Sequence, residues 1–169
     1  MMISEAMAQA ISEQIGREYY AAIQYDMIAA YFERNALPEL TSLFRAQADE
    51  ELAHAQKFID YVTEAGGIVA IPEIERGRAD FTSVEEAVQT AHDNEDAVTK
   101  AINELMDQAI TENDHLARGT LQWFVDEQLE EMSLQGDLLT VVRRAGTDLN
   151  YVEQYVSKLP PPAQSGGVA

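Results

Sequence analysis

The chain has 169 residues, of which 46% are apolar, enough to bury one substantial core. Its formal net charge is −19, and its 11 Lys and Arg residues form no cluster, which excludes a basic face for nucleic acid. Cysteine is absent, so disulfides and thiolate metal sites are excluded. The first residues, Met-Met-Ile-Ser-Glu-Ala, carry neither a basic segment nor an apolar one. No apolar run approaches membrane-spanning length. The expectation is a soluble cytoplasmic protein with no membrane partner, whose acidic excess draws cations.

In chain order, Ser4 is an expected N-cap for a first helix running to about Arg34. Its apolar stripe reads Met7, Ile11, Gln14, Glu18, Ala22 or Ala21, Tyr25, Ala29 and Phe32. Pro38 breaks the pattern and suits the first turn of a second helix, about Glu39 to Ala65, closed by Gly66-Gly67. That stripe reads Leu40, Phe44, Gln47, Glu51, His54, Phe58, Tyr61 and Ala65. The stretch from Gly67 to Thr82 lacks helical periodicity, and at about 3.3 Å per residue it reaches roughly 50 Å. It is expected to be a crossover traversing the length of a helical bundle.

The third helix opens at Thr82 or Ser83, where Ser83-Val84-Glu85-Glu86 has capping-box form, and its stripe passes through Val84, Val88, Ala91, Glu95, Val98, Ile102, Leu105 and Ala109. A break at Glu112-Asn113-Asp114 leads into a fourth helix that ends at Gly146. Its stripe takes Ala117, Leu121, Phe124, Gln128, Glu131, either Leu134 or Gln135, Leu138 and Val142. A short fifth helix, about Asp148 to Lys158, follows a Thr147 cap. The fold class is therefore all-α: a four-helix bundle with a long crossover between helices two and three, plus a short fifth helix. Residues 1–159 form the domain and 160–169 an expected mobile tail.

Each long stripe carries polar groups at its middle, and their spacing repeats. A shift of 77 positions lays Glu18 on Glu95, Glu51 on Gln128 and His54 on Glu131. Within each hairpin, climbing about 16 residues and descending as many returns to the same height. Two such hairpins packed together bring Glu18, Glu51, His54, Glu95, Gln128 and Glu131 around one point. Any one of these glutamates could belong to a solvated face. Four stripes of them together argue against that reading and for convergence in the core, where carboxylates repel one another without a counter-charge. Two metal ions bridged by a carboxylate resolve that conflict.

The ligand set is rich in oxygen, with one imidazole and no thiolate, and suits iron or manganese better than copper or structural zinc. Such sites in helical bundles are the usual home of di-iron centres. Hard carboxylates favour Fe(III) over Fe(II), and hence oxidation of bound ferrous ions by dioxygen or peroxide. Tyr25, two turns after Glu18, either hydrogen-bonds a ligand or donates an electron, the alternative being simple packing with its hydroxyl satisfied. Glu50, Glu127 and Glu130 lie one position off the stripes. They form either a solvated face or an adjacent, weaker metal site.

The set Glu18, Tyr25, Glu50-Glu51-x-x-His54, Glu95 and Glu127-Gln128-Leu129-Glu130-Glu131 resembles the ferroxidase motif of bacterial non-haem ferritins. The likeness extends over nearly the whole chain and includes the run from Leu121 to Gln128. It implies a ferritin-like bundle and an iron-storage ferroxidase. A first iron would be held by Glu18, Glu51 and His54, and a second by bridging Glu51 with Glu95 and Glu131, Gln128 lying close. A third, outer iron would take Glu50, Glu127 and Glu130, with Glu131 between it and the second. The resemblance further implies a hollow 24-subunit homo-oligomeric shell filled with ferric mineral. Its fifth helix would line a four-fold channel, and its oxidant would be dioxygen or hydrogen peroxide.

Bacterioferritins repeat Glu-x-x-His on the fourth helix, where this chain has Gln128-x-x-Glu131. They ligate haem through a methionine where this chain has Leu52, so no haem is expected. His92 is expected as solvated surface and His115 as structural. Two other readings remain: a di-iron oxidase without storage, which predicts a monomer or dimer, and a passive cation-binding scaffold, which predicts no oxygen consumption.

Overall fold

The computed structural model describes residues 2–160. Five helices make up the architecture: α1 (Glu5–Arg34), α2 (Pro38–Glu64), α3 (Val84–Thr111), α4 (His115–Ala145) and α5 (Leu149–Val156). Among the described residues there is no strand. The expected tail lies outside the described residues apart from Pro160.

Helix starts follow side-chain chemistry. Ser4 accepts from Met7 N–H, Ser83 from Glu86 N–H and Asp114 from Ala117 N–H, each satisfying a donor that the first turn leaves free. The fifth helix corrects the expectation. Its cap is Asp148, accepting from Tyr151 N–H, rather than Thr147, and the helix ends at Val156. The α2 start has no cap of its own, because Leu37 carries no polar group. Glu153 of α5 takes that role, accepting from Glu39 N–H at 2.9 Å and Leu40 N–H at 3.0 Å.

The ends of α1, α2 and α3 all close in a left-handed turn: Ala36, Gly66 and Asn113 have positive φ. In each, the following residue donates back five positions: Leu37 to Phe32, Gly67 to Val62 and Asp114 to Ala109. Ser4 of α1 donates to Glu112 at the end of α3 (2.5 Å), so these two helices run antiparallel.

The crossover lies in register along α1. Ala70 N–H donates to the Ser12 hydroxyl (3.0 Å), Arg78 N–H to Gln24 Oε1 (2.8 Å), and the Gln24 amide back to the Arg78 carbonyl (2.8 Å), while Arg34 pairs with Asp80. From Ser12 to Arg34 a helix rises roughly 33 Å. Ten extended residues, from Ala70 to Asp80, reach about the same distance. At the point of closest approach, a Cβ on Gly16 would stand 2.7 Å from the Pro72 ring. The crossover therefore buries a second face of α1, which explains why Ser12, Gly16 and Gln24 are buried although none belongs to its apolar stripe.

The core is in two parts. One, at the start of α1, contains Met7, Ile11, Ile15, Phe58, Ile102 and Phe124. The other, at its end, contains Ile28, Phe32, Phe44, Val88, Leu138 and α5's Val152. Between them lies a buried polar belt of Gln14, Glu18, Gln47, Glu51, His54, Glu95, Gln128, Glu131 and Gln135. Gln135 rather than Leu134 continues the α4 stripe.

Candidate metal centre

The belt is assembled by helix register. Glu51 and His54, one turn apart on α2, meet Glu18 from α1, and a ligand atom from each lies within 4.8 Å of the others. His54 Nδ1 stands 3.3 Å from Glu51 Oε2 and 3.9 Å from Glu18 Oε2. Both of those carboxylate oxygens are buried without a hydrogen-bond partner. Their neighbours are satisfied: Glu18 Oε1 accepts from the Gln14 amide at 2.7 Å, and Gln14 Oε1 accepts from Arg17 at 3.3 Å. An unpartnered oxygen in such a setting is costly, and two oxygens converging on one imidazole describe an open cation site.

Glu95 is fully buried and both its oxygens are occupied. The Tyr25 hydroxyl donates to Oε1, and the Gln128 amide donates to Oε2 at 2.9 Å while also reaching Thr99 Oγ1 at 3.0 Å. Burial, then the charges of Glu95 and Glu51, push the Tyr25 phenol well above its ordinary range, so it stays protonated and donates. Its ring meets Phe44 edge-on at 5.7 Å. Glu131 Oε2 accepts from the Gln47 amide at 2.9 Å.

The electrostatics locate the centre of this group. Burial raises Glu51 well above the carboxylate range, and the charges of Glu95, Glu131 and Glu50 raise it further. Glu18 is raised by burial and then by Glu51. Glu131 is pushed up to about 9 by burial and by Glu95 and Glu50. Glu51 thus faces acids from every other long helix: Glu18 on α1, Glu95 on α3 and Glu131 on α4. Without a cation the cluster holds protons; a divalent pair would displace them.

The outer group is partly assembled. Glu50, raised by burial, touches Glu131 with its carboxyl, and Glu127 Oε2 lies 3.9 Å from His54 Nε2. Glu130 is exposed and makes no hydrogen bond or ion pair among the described residues. His92 is half-buried and faces Asp93 at 3.7 Å, and His115 is exposed at the start of α4. On the far side of His54, Trp123 meets the imidazole edge-on at 5.5 Å, with Lys57 Nζ 4.2 Å from the centre of the Trp123 ring. Phe58 and Phe124 stack at 3.7 Å beneath it.

The sequence model of the ferritin-like domain matches residues 8–145, most of the chain and all of this belt. The chain belongs to that family. Ferritin BfrB of Mycolicibacterium smegmatis is 37% identical over 148 residues, covering 88% of this chain and 82% of the relative. The bacterial non-heme ferritin of Escherichia coli O157:H7 is 30% identical over 161 residues, covering 94% and 98%. Among solved structures, an open pore ferritin from Archaeoglobus fulgidus superposes with a TM-score of 0.89 at 34% identity, over 94% of this chain and 99% of that one. Ferritin-like architecture thus accounts for the crossover and the fifth helix together.

The roles of Gln47 and Gln135 were not legible from the stripes, although both occupy stripe positions. A signal was present: glutamine at a buried position beside ligand residues is expensive, as Glu51 and His54 are. The α5 carboxylate that caps α2 had no signal, because nothing local in the sequence connects Glu153 to Leu37.

Proposed function

We propose that this chain is the subunit of an iron-storage shell and oxidises ferrous iron at the buried belt before the ferric product is mineralised. The observation carrying this reading is the Glu51 carboxyl, surrounded by acids from the three other long helices, with unpartnered oxygens on Glu51 and Glu18 converging on His54 Nδ1. Glu18, Glu51 and His54 would hold one Fe(II). Glu51 as bridge, with Glu95 and Glu131, would hold the second, and Gln128 would lie beside it. Glu50, Glu127 and Glu130 would take a third iron in passage, with Glu131 shared.

In this scheme each ferrous ion gives up one electron, and dioxygen takes two electrons and two protons to form hydrogen peroxide. Carboxylate ligands favour the ferric product, which supplies the driving force. The Tyr25 phenol would hold Glu95 through its hydrogen bond. Leu52 offers no thioether, so the centre works without haem. The net charge of −19 fits a cytoplasmic 24-subunit shell whose inner wall gathers cations.

The test is anaerobic loading with Fe(II) followed by oxygen. A transient diferric absorbance, oxygen uptake and a hollow 24-mer by native mass spectrometry are expected. A chain that sizes as a monomer or dimer would sink the storage reading. Glu51→Ala combined with His54→Ala is expected to slow initial oxidation by about 100-fold or more while the assembly persists. An unchanged initial rate would refute the site.

A further inference from the structure

Gln47 and Gln135 are almost fully buried, and neither has been given a part in the chemistry above. They form a polar chain with a defined direction. The Gln135 amide donates to Gln47 Oε1 at 2.8 Å, and the Gln47 amide donates to Glu131 Oε2 at 2.9 Å. A carboxylate oxygen accepts, so the NH₂ end of Gln47 must face Glu131. Its carbonyl is then turned toward Gln135. Gln47 lies one turn before Glu51 on α2, and Gln135 one turn after Glu131 on α4. The chain therefore ties together the two helices that carry Glu51 and Glu131.

The opposite flank shows that polarity here is not required for packing. Under the 77-residue shift, Gln47 corresponds to Phe124 and Phe58 to Gln135. Phe58 and Phe124 stack at 3.7 Å, while their counterparts Gln135 and Gln47 form an amide pair. Two aromatic rings fill one side of the belt. Two buried amides on the other cost desolvation, and Gln135 Oε1 is left unpartnered.

We propose that Gln47 and Gln135 are positioning residues that hold the Glu131 carboxyl in place as a ligand of the second metal. Gln47 occupies Oε2, so the other oxygen is the one presented to the ion shared with Glu51. The Glu131 carboxyl also touches that of Glu50, on the side of the outer group. The relay limits rotation of the carboxyl at this junction between the centre and the outer group. The inference rests on the two-metal reading.

The test uses Co(II), which is redox-silent here, added anaerobically to the assembled protein. The readouts are the visible absorption of each bound ion and the spin coupling of a carboxylate-bridged pair in magnetic susceptibility. Gln47→Leu is expected to keep first-ion affinity, weaken the second ion by about 10- to 100-fold and abolish the coupling at matched loading. Gln135→Leu is expected to act in the same direction but less, since Gln47 keeps its amide and loses only its orientation. If both variants bind a coupled pair with wild-type affinity, the relay is refuted. Equal weakening of both ions would also refute it, marking the glutamines as merely structural. A wild-type protein that never forms a coupled pair would overturn the two-metal reading itself, and the relay with it.

Discussion

Ala36 and Asn113 stand at the same point of the two helical hairpins, 77 positions apart, and both hold a left-handed backbone, φ 58° and φ 56°. One position further, Leu37 and Asp114 begin α2 and α4. Asp114 caps its own helix through Ala117 N–H, whereas the equivalent donor, Leu40 N–H, is satisfied by Glu153 from α5. The second hairpin closes locally, and the first closes only when the fifth helix docks. At the belt the divergence reverses. The first hairpin keeps Glu51 and His54, whose oxygens and imidazole are open, while the second has Gln128 and Glu131, already engaged by hydrogen bonds. Duplicated geometry thus supports one half whose polar atoms are open and one half whose polar atoms are engaged by hydrogen bonds.

The contrast can be broken most severely at its flanks. Phe124→Ala removes a fully buried ring from the stack and is expected to cost about 3–5 kcal/mol, read by denaturant unfolding of the metal-free protein. Replacing both Gln47 and Gln135 by Leu removes the amide pair together but leaves Glu131 Oε2 without its donor, and is expected to cost less, about 1–3 kcal/mol on the same measurement. Similar losses on the two flanks would erase the distinction between a packing side and a positioning side.

A second test is pH. Glu18, Glu51 and Glu131 have folded pKa values above the unfolded carboxylate value of about 4.3. Such groups bind protons more tightly when folded, so their stabilising contribution is complete below that value. It disappears as pH rises through the folded one, about 9 for Glu131. Thermal unfolding of metal-free protein should therefore fall in midpoint from pH 5 to pH 9.5, and loading with Co(II) should flatten the trend. A flat metal-free profile would contradict the buried acid cluster.

Smaller effects address the hairpin ends. Glu153→Ala is expected to destabilise by about 1 kcal/mol and to increase hydrogen exchange at Glu39 and Leu40, with the start of α4 unaffected. Ala36→Gly relieves a left-handed alanine and should stabilise by roughly 0.5–1 kcal/mol, whereas Asn113→Gly should change little. Equal responses at the two turns would mean that alanine carries no strain there.

Helix spans, caps and the polar belt were readable because each is written at short range. Apolar residues recur at steps of three and four, Ser4 and Ser83 stand before their helices, and the 77-residue echo aligns ligands at one height. The crossover was readable only as a length. That it lies along α1, burying Ser12 and Gln24 through hydrogen bonds to Ala70 and Arg78, follows from no local pattern. The Thr147 cap was misassigned because threonine and aspartate are both good caps, and only the backbone at Asp148 decides between them.

By itself, then, the sequence determined an all-α chain whose four stripes each bury acids or amides, groups that need protons or a cation to neutralise them. Only the tertiary structure decided how those groups divide the work. Hydrogen bonding is directional, so whether an oxygen is open, as in Glu18 and Glu51, or engaged, as in Glu95 and Glu131, depends on donors brought from other helices. Tyr25, Gln47 and Gln128 are those donors, with Gln135 orienting Gln47, and no spacing along one helix reveals where their amides and hydroxyl point.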